Sequence, residues 1–158
     1  MKASSLKDIQ TELENLDSAE VQALCLRLAR FKKENKELLT YLLFESFDEA
    51  AFVRNILAEV DEQFAEMNTS QLYFMKKTIR KILRMLTKYA RYAGSPEVEV
   101  QLLLHFSNKL KETGIDLQPG NVMGNLYHNQ LKKIKKILAG FHEDLRYDYM
   151  KELERLLM

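Results

Sequence analysis

Apolar residues recur at every third or fourth position along most of the chain, which is the spacing of one face of an α-helix. Five glycines and two prolines interrupt the 158 residues, and they fall at a few points. The pattern therefore predicts an all-α chain of seven or eight helices joined by brief turns. The longest continuous apolar arc consists of Leu72, Met75, Ile79, Ile82, Leu83, Leu86, Ala90 and Ala93.

Helix-start signals divide this pattern into separate helices. Ser5 and Asp17 are typical N-caps for the first two helices, Ser46 with Glu49 predicts the start of a fourth, and Ser95-Pro96-Glu97 predicts a sixth. The short run 38–44 is apolar nearly all round, so we expect it to be a buried third helix. The linkers are short, and we expect one helical domain over residues 1–158, built from antiparallel hairpins as an α-α superhelix or a compact helical bundle.

The first quarter of the chain has an ordered series of helices and turns. Its sequence, SLKDIQTELENLDSAEVQALCLRLARFKKENKELLTYLLF, resembles the N-terminal pattern of small all-α bacterial families of unknown function. No functional motif comes with that resemblance. The predicted hairpins are also similar in architecture to HEAT and armadillo repeats, and such a likeness of fold does not carry function with it.

The composition narrows the class of protein. Of the residues, 46% are apolar and 30% charged, with 24 basic against 23 acidic, as in a soluble globular chain that is not built as a whole to bind nucleic acid. Cys25 is the single cysteine, which excludes an intramolecular disulfide, and its place on an apolar stripe predicts a core residue. We expect a cytoplasmic protein with no membrane contact, because we find neither a signal peptide nor an apolar run near the roughly 20 residues that span a bilayer.

Charge is distributed unevenly between two neighbouring helices. Residues 45–67 hold seven acids and one base, whereas residues 68–94 hold seven bases and no acid. On a helical wheel the bases fall within an arc of about 140° opposite the apolar arc, with Tyr73 inside it. We call this set the basic stripe: Lys76, Lys77, Arg80, Lys81, Arg84, Lys88, Arg91 and Tyr73.

Three interpretations of the basic stripe stay open at this point. In the first it has a structural role only, and its flanks form edge ion pairs with the acidic helix at 46–66, which should pack antiparallel to it. In the second its centre, which faces away from that helix, binds an acidic protein partner or a second copy of the chain. Nucleic acid is the alternative occupant, although Tyr73 is the only aromatic residue within the stripe and single-strand binding usually needs stacking platforms.

Catalytic motifs are missing from the sequence. It contains no phosphate-binding glycine loop, no zinc-protease motif and no nucleophile elbow, and the three histidines are not at ligand spacing. Glu59, Glu62 and Glu66 form a ridge along one helix. A helix that faces a basic neighbour would carry such a ridge without any metal-binding or catalytic role. We therefore expect a non-enzymatic protein-interaction module without cofactor or metal, and an enzyme assembled from scattered carboxylates and histidines is the third hypothesis.

Overall fold

The computed structural model describes all 158 residues, and the all-α prediction is confirmed. A π-helical turn, Tyr41–Glu45, continues directly from the third helix. The α-helices are α1 Leu6–Glu14, α2 Ser18–Phe31, α3 Lys33–Thr40, α4 Glu49–Ala65, α5 Leu72–Ala93, α6 Pro96–Glu112, α7 Val122–Leu138 and α8 Glu143–Leu157.

The predicted helix starts are correct with one exception. Ser5 and Asp17 each form a capping box, and Ser95 caps α6 with Pro96 in its first turn. The predicted start at Ser46 is wrong, because Asp48 is the N-cap of α4 and its side chain accepts a 2.9 Å hydrogen bond from the amide of Ala51. The π-helical turn ends at Glu45, so Ser46 lies in the connection that precedes the cap.

The chain divides into two compact units, Met1–Phe44 and Glu45–Met158, which are described separately. The expected single domain over residues 1–158 therefore stays a prediction. Within Glu45–Met158, α6 packs against α4, α5, α7 and α8, so this unit is a bundle arranged around one central helix. The buried residues of α6 are Val98, Val100, Leu102, Leu103, Leu104, Phe106, Ser107 and Leu110.

Polar residues of α6 are paired with residues of the surrounding helices. Glu99 forms a 2.5 Å ion pair with Lys133 of α7, and Glu97 accepts a 2.8 Å hydrogen bond from the hydroxyl of Tyr149 in α8. Burial raises the pKa of Tyr149 to about 12. These pairs allow a helix that carries charged residues to occupy the centre of the bundle, because buried polar groups are costly only when they lack partners.

The C-terminal end of α8 is held by side chains of α6 and α7. Tyr127 donates a buried 2.9 Å hydrogen bond to the Leu156 carbonyl, and the ammonium of Lys111 donates to the Arg155 carbonyl at 3.2 Å. These donors satisfy carbonyls that lack partners at a helix C-terminus. At the start of α7, a Cβ on Gly124 would collide with the Gln118 carbonyl, so the preceding loop can lie directly against the helix.

The unit Met1–Phe44 has a different interior. Helices α2 and α3 pack against each other, yet no residue of α1, α2 or α3 is buried, and Tyr41 is the one buried residue of this unit. The prediction that 38–44 is buried is therefore wrong for most of the run, since Leu42, Leu43 and Phe44 are 54%, 60% and 64% exposed. An apolar helix is buried only where other elements surround it, and within this unit only α2 packs extensively against α3.

Candidate functional site

Helix α5 presents the basic stripe because its opposite face is fixed in the core of its unit. Ile79, Ile82, Leu86 and Ala90 are buried and lie along one side of the 22-residue helix. The helix ends at Gly94, whose φ of 63° is the left-handed conformation that glycine adopts without strain. The burial of one side and the helical period together direct the opposite side outward.

Most of the basic stripe is open to solvent. From Lys76 to Arg91 it runs for about 22 Å along the helix axis. Lys76 and Lys88 are half-buried at the edges of the exposed surface. The exposed members are Tyr73, Lys77, Arg80, Lys81, Arg84 and Arg91.

The acids of α4 do not neutralise the stripe. Six of its seven cations, all except Lys88, form no ion pair within 4.0 Å. None of those six therefore forms the edge ion pair with α4 that was expected at the flanks of the stripe, and its centre was not expected to pair. One polar contact between the two helices is made by Gln63, whose amide lies 3.1 Å from the sulfur of Met85.

One acid of α4 is directed toward α6. Asp61 Oδ1 lies 2.6 Å from Nε2 of His105 and 3.3 Å from the ammonium of Lys109. Partial burial opposes ionisation of Asp61, but hydrogen bonds and charge from His105 and Lys109 outweigh it and lower the pKa of Asp61. The hydrogen bond to Asp61 likewise raises the pKa of Lys109. This carboxylate is therefore committed to the α4–α6 contact rather than to the basic stripe.

Repulsion between like charges along the stripe lowers the stability of its own helix. Four pairs of like charges stand at i,i+4 in α5: Lys76–Arg80, Lys77–Lys81, Arg80–Arg84 and Arg84–Lys88. Each such pair destabilises a helix by roughly 0.2–0.5 kcal/mol, or about 1–2 kcal/mol for the four together. An anionic partner would remove this repulsion.

Aromatic rings occupy a small part of the stripe. Tyr73 is 68% exposed at its N-terminal end and meets the ring of Phe74 edge-on at 5.5 Å between centroids. Near the other end, the ammonium of Lys88 lies 5.4 Å from the ring centroid of Tyr89. The surface thus offers positive charge over its whole length and one freely presented ring.

One acid–base contact that the structure shows in Glu45–Met158 is that between Asp61, His105 and Lys109. We find no group of three or more histidine, cysteine, aspartate or glutamate side chains arranged to hold a metal. Cys25 is exposed, which corrects its prediction as a core residue. His128 borders a groove of about 400 Å³ with Lys132 and Lys135, and its Nε2 lies 3.2 Å from the Leu117 carbonyl.

Sequence reasoning missed a second basic surface, in the unit Met1–Phe44. Helices α2 and α3 enclose an open groove of about 580 Å³ whose floor is apolar. Its rim carries Arg30, Lys32, Lys33 and Lys36. The signal was present in α2, where Leu26 stands off the main stripe of Val21, Leu24, Cys25 and Leu28 and so gives the helix a second apolar side.

Comparison with known proteins adds no family to this description. The chain matches no family model, no curated protein and no solved structure. Measured against a bilayer, every helix is either too short or too polar to cross it.

Proposed function

We propose that this protein is a non-enzymatic interaction module that binds an acidic protein partner through the basic stripe of α5. The observation that carries the proposal is that six cations, spread along one exposed helix face, form no ion pair within the chain. Electrostatic complementarity of this kind favours association rate and choice of partner.

The shape of the surface favours a protein partner. The stripe is straight, about 22 Å long and convex, because it follows one face of a single helix. An acidic helix or extended acidic segment can lie along such a line. Arg80, Arg84 and Arg91 supply planar guanidinium groups, which bind carboxylates in pairs of parallel hydrogen bonds.

Nucleic acid is the second candidate, favoured by the length of the stripe. A cationic line of this length matches several consecutive phosphates. It would bind with little sequence preference, since Tyr73 is the one aromatic ring within the stripe. Binding to nucleic acid would be distinguished by a strong dependence of affinity on salt concentration.

The test compares two triple charge reversals in the full chain. One replaces Arg80, Arg84 and Arg91 with Glu in the stripe, and the matched control replaces Lys132, Lys135 and Lys136 with Glu on the exposed side of α7. Each protein is titrated into a fluorescent glutamate-rich peptide and into labelled single-stranded and duplex oligonucleotides, at low and at physiological salt. Fluorescence anisotropy reports binding.

The proposal expects the acidic peptide to bind the parent chain and the α7 control, and to lose at least about tenfold in affinity with the stripe reversal. Oligonucleotide binding that is steeper in salt, and that the stripe reversal alone abolishes, would replace the protein partner by nucleic acid. Equal affinity of the peptide for all three proteins would refute a role for the stripe.

A further inference from the structure

A second surface, distinct from the basic stripe, lies on the first helix. The apolar residues Leu6, Ile9 and Leu13 form one line along α1, and they are 85%, 45% and 39% exposed. Helix α1 has nine residues and packs extensively against no other helix. Isolated helices shorter than about 12–15 residues are marginal in water, so a helix of this length needs an apolar surface to cover its line.

The groove between α2 and α3 offers a surface of that kind. Leu26, Ala29, Leu39 and Leu43 are among the apolar residues that line its volume of about 580 Å³, and no residue of α1 borders it. An apolar groove between two packed helices can hold a third helix laid along it, which is the helix-in-groove mode of recognition.

Charge matches α1 to this groove. Glu12 and Glu14 lie on the two flanks of the apolar line of α1, on opposite sides of it around the helix. The groove carries Arg30 on the α2 side and Lys36 on the α3 side. An α1 seated with its apolar line on the floor would therefore set an acid against the basic rim on each side.

The connection between α1 and α2 directs α1 to the groove of another molecule. Only residues 15–17 join the two helices, and Asp17 is fixed by its capping box. If α1 folded back on its own α2, Leu13 would lie near the start of α2, and Leu26 would be about 13 Å further along. Only the first residues of α1 would reach the groove.

We propose that two copies of this chain form a reciprocal dimer in which α1 of each copy lies in the α2–α3 groove of the other. The contact is then made twice by two-fold symmetry, as in isologous dimers. It uses residues of the unit Met1–Phe44 and none of the basic stripe of α5.

The first test is the mass of the full chain in solution, measured by sedimentation velocity over a range of concentrations. The dimer predicts twice the 18.6 kDa chain mass at high concentration and dissociation on dilution. Replacing Ile9 and Leu13 with Glu should give monomers whose helix content matches that of the parent chain diluted until it is monomeric, because both side chains are exposed within one chain. A parent chain that sediments as a monomer at every concentration overturns the proposal.

The second test identifies which surfaces meet. One variant carries Glu12→Lys and Glu14→Lys, and another carries Arg30→Glu and Lys36→Glu. Each alone should dimerise at least about tenfold more weakly than the parent chain. An equimolar mixture should recover dimer, since each α1 then meets a groove of opposite charge.

The matched control for the groove variant replaces Lys132 and Lys136, two exposed lysines of α7, with Glu, and should dimerise like the parent chain. A mixture of the two charge-reversed variants that stays monomeric contradicts the reciprocal contact. Equal weakening by the α7 control contradicts it as well, because the effect would then follow net charge alone.

Discussion

Helices α6 and α2 carry comparable apolar stripes, but the stripe of α6 is buried and that of α2 is not. In α6 eight of 17 residues are buried among four neighbouring helices, whereas in α2 none of 14 is buried. The difference shows that an amphipathic pattern predicts a helix with one apolar face but does not predict which other element packs against that face. The unit Glu45–Met158 supplies its own cover, and we infer that the unit Met1–Phe44 obtains it from a second copy.

The largest expected effect contrasts a phenylalanine from each unit. Phe106→Ala removes a fully buried ring of α6 that lies 6.0 Å from the ring of Phe64, and should lower the free energy of unfolding by about 3–5 kcal/mol. Phe31→Ala, at a side chain 77% exposed, should change it by less than about 0.5 kcal/mol. Urea denaturation at low protein concentration measures both. Similar losses for the two variants would break the comparison.

A smaller effect is expected from a buried hydrogen bond of the second unit. Tyr127→Phe leaves the Leu156 carbonyl without its 2.9 Å donor and should cost about 1–2 kcal/mol, while Tyr147→Phe, at a ring 61% exposed, should be neutral. The same denaturation experiment gives both values. A neutral Tyr127→Phe would show that the end of α8 is held by packing alone.

The contact between α4 and α6 predicts a dependence on pH. Because the folded pKa of Asp61 lies below its ordinary value of 3.8, its contribution is present above pH 3.8 and is lost as the pH falls through the folded pKa. Asp61→Asn should cost less than about 1 kcal/mol at neutral pH, since the carboxylate is nearly half exposed, and nothing in strong acid. Glu62→Gln is the control on the same helix. Denaturant titrations at neutral pH and in strong acid measure the free energy of unfolding of each variant. A loss of stability in Asp61→Asn that persists in acid would assign the effect to packing.

An effect of about the same size has the opposite sign. Neutralising Arg80 and Arg84 to Gln removes three of the like-charge pairs in α5 and should raise the free energy of unfolding by a few tenths of a kcal/mol per pair removed. The gain should shrink in high salt, which screens the repulsion. Thermal unfolding at two salt concentrations measures it. A loss of stability would mean that the two arginines are paired within the folded chain.

Much of the fold could be predicted because helix starts and apolar periods are local properties. Ser5, Asp17 and Ser95 begin helices by capping amides three residues away, and the buried line of α5 follows from its period. Burial depends on the rest of the chain and was predicted less well. The run 38–44 was predicted to be a core helix and is largely exposed. Helix α6 is central although it carries charged residues, because its glutamates 97 and 99 pair with side chains of α8 and α7.

The candidate site shows the same division between local and long-range information. The outward direction of Arg80 and Arg84 follows from the helical period and is confirmed. Edge ion pairs between α4 and the flanks of the stripe were predicted from charge alone, and the six cations other than Lys88 form none. Asp61 of α4 faces His105 instead. Which neighbour an acid faces is decided by helix packing, and this information is not contained in one helix.

The inference that Met1–Phe44 depends on a second copy is tested most directly by hydrogen exchange of the full chain at several concentrations, read by mass spectrometry for each helix. We predict that amides of α1, α2 and α3 become more protected as concentration rises, while those of α6 stay equally protected throughout. Protection of the first three helices that does not change with concentration, in a chain that remains monomeric, would contradict the account.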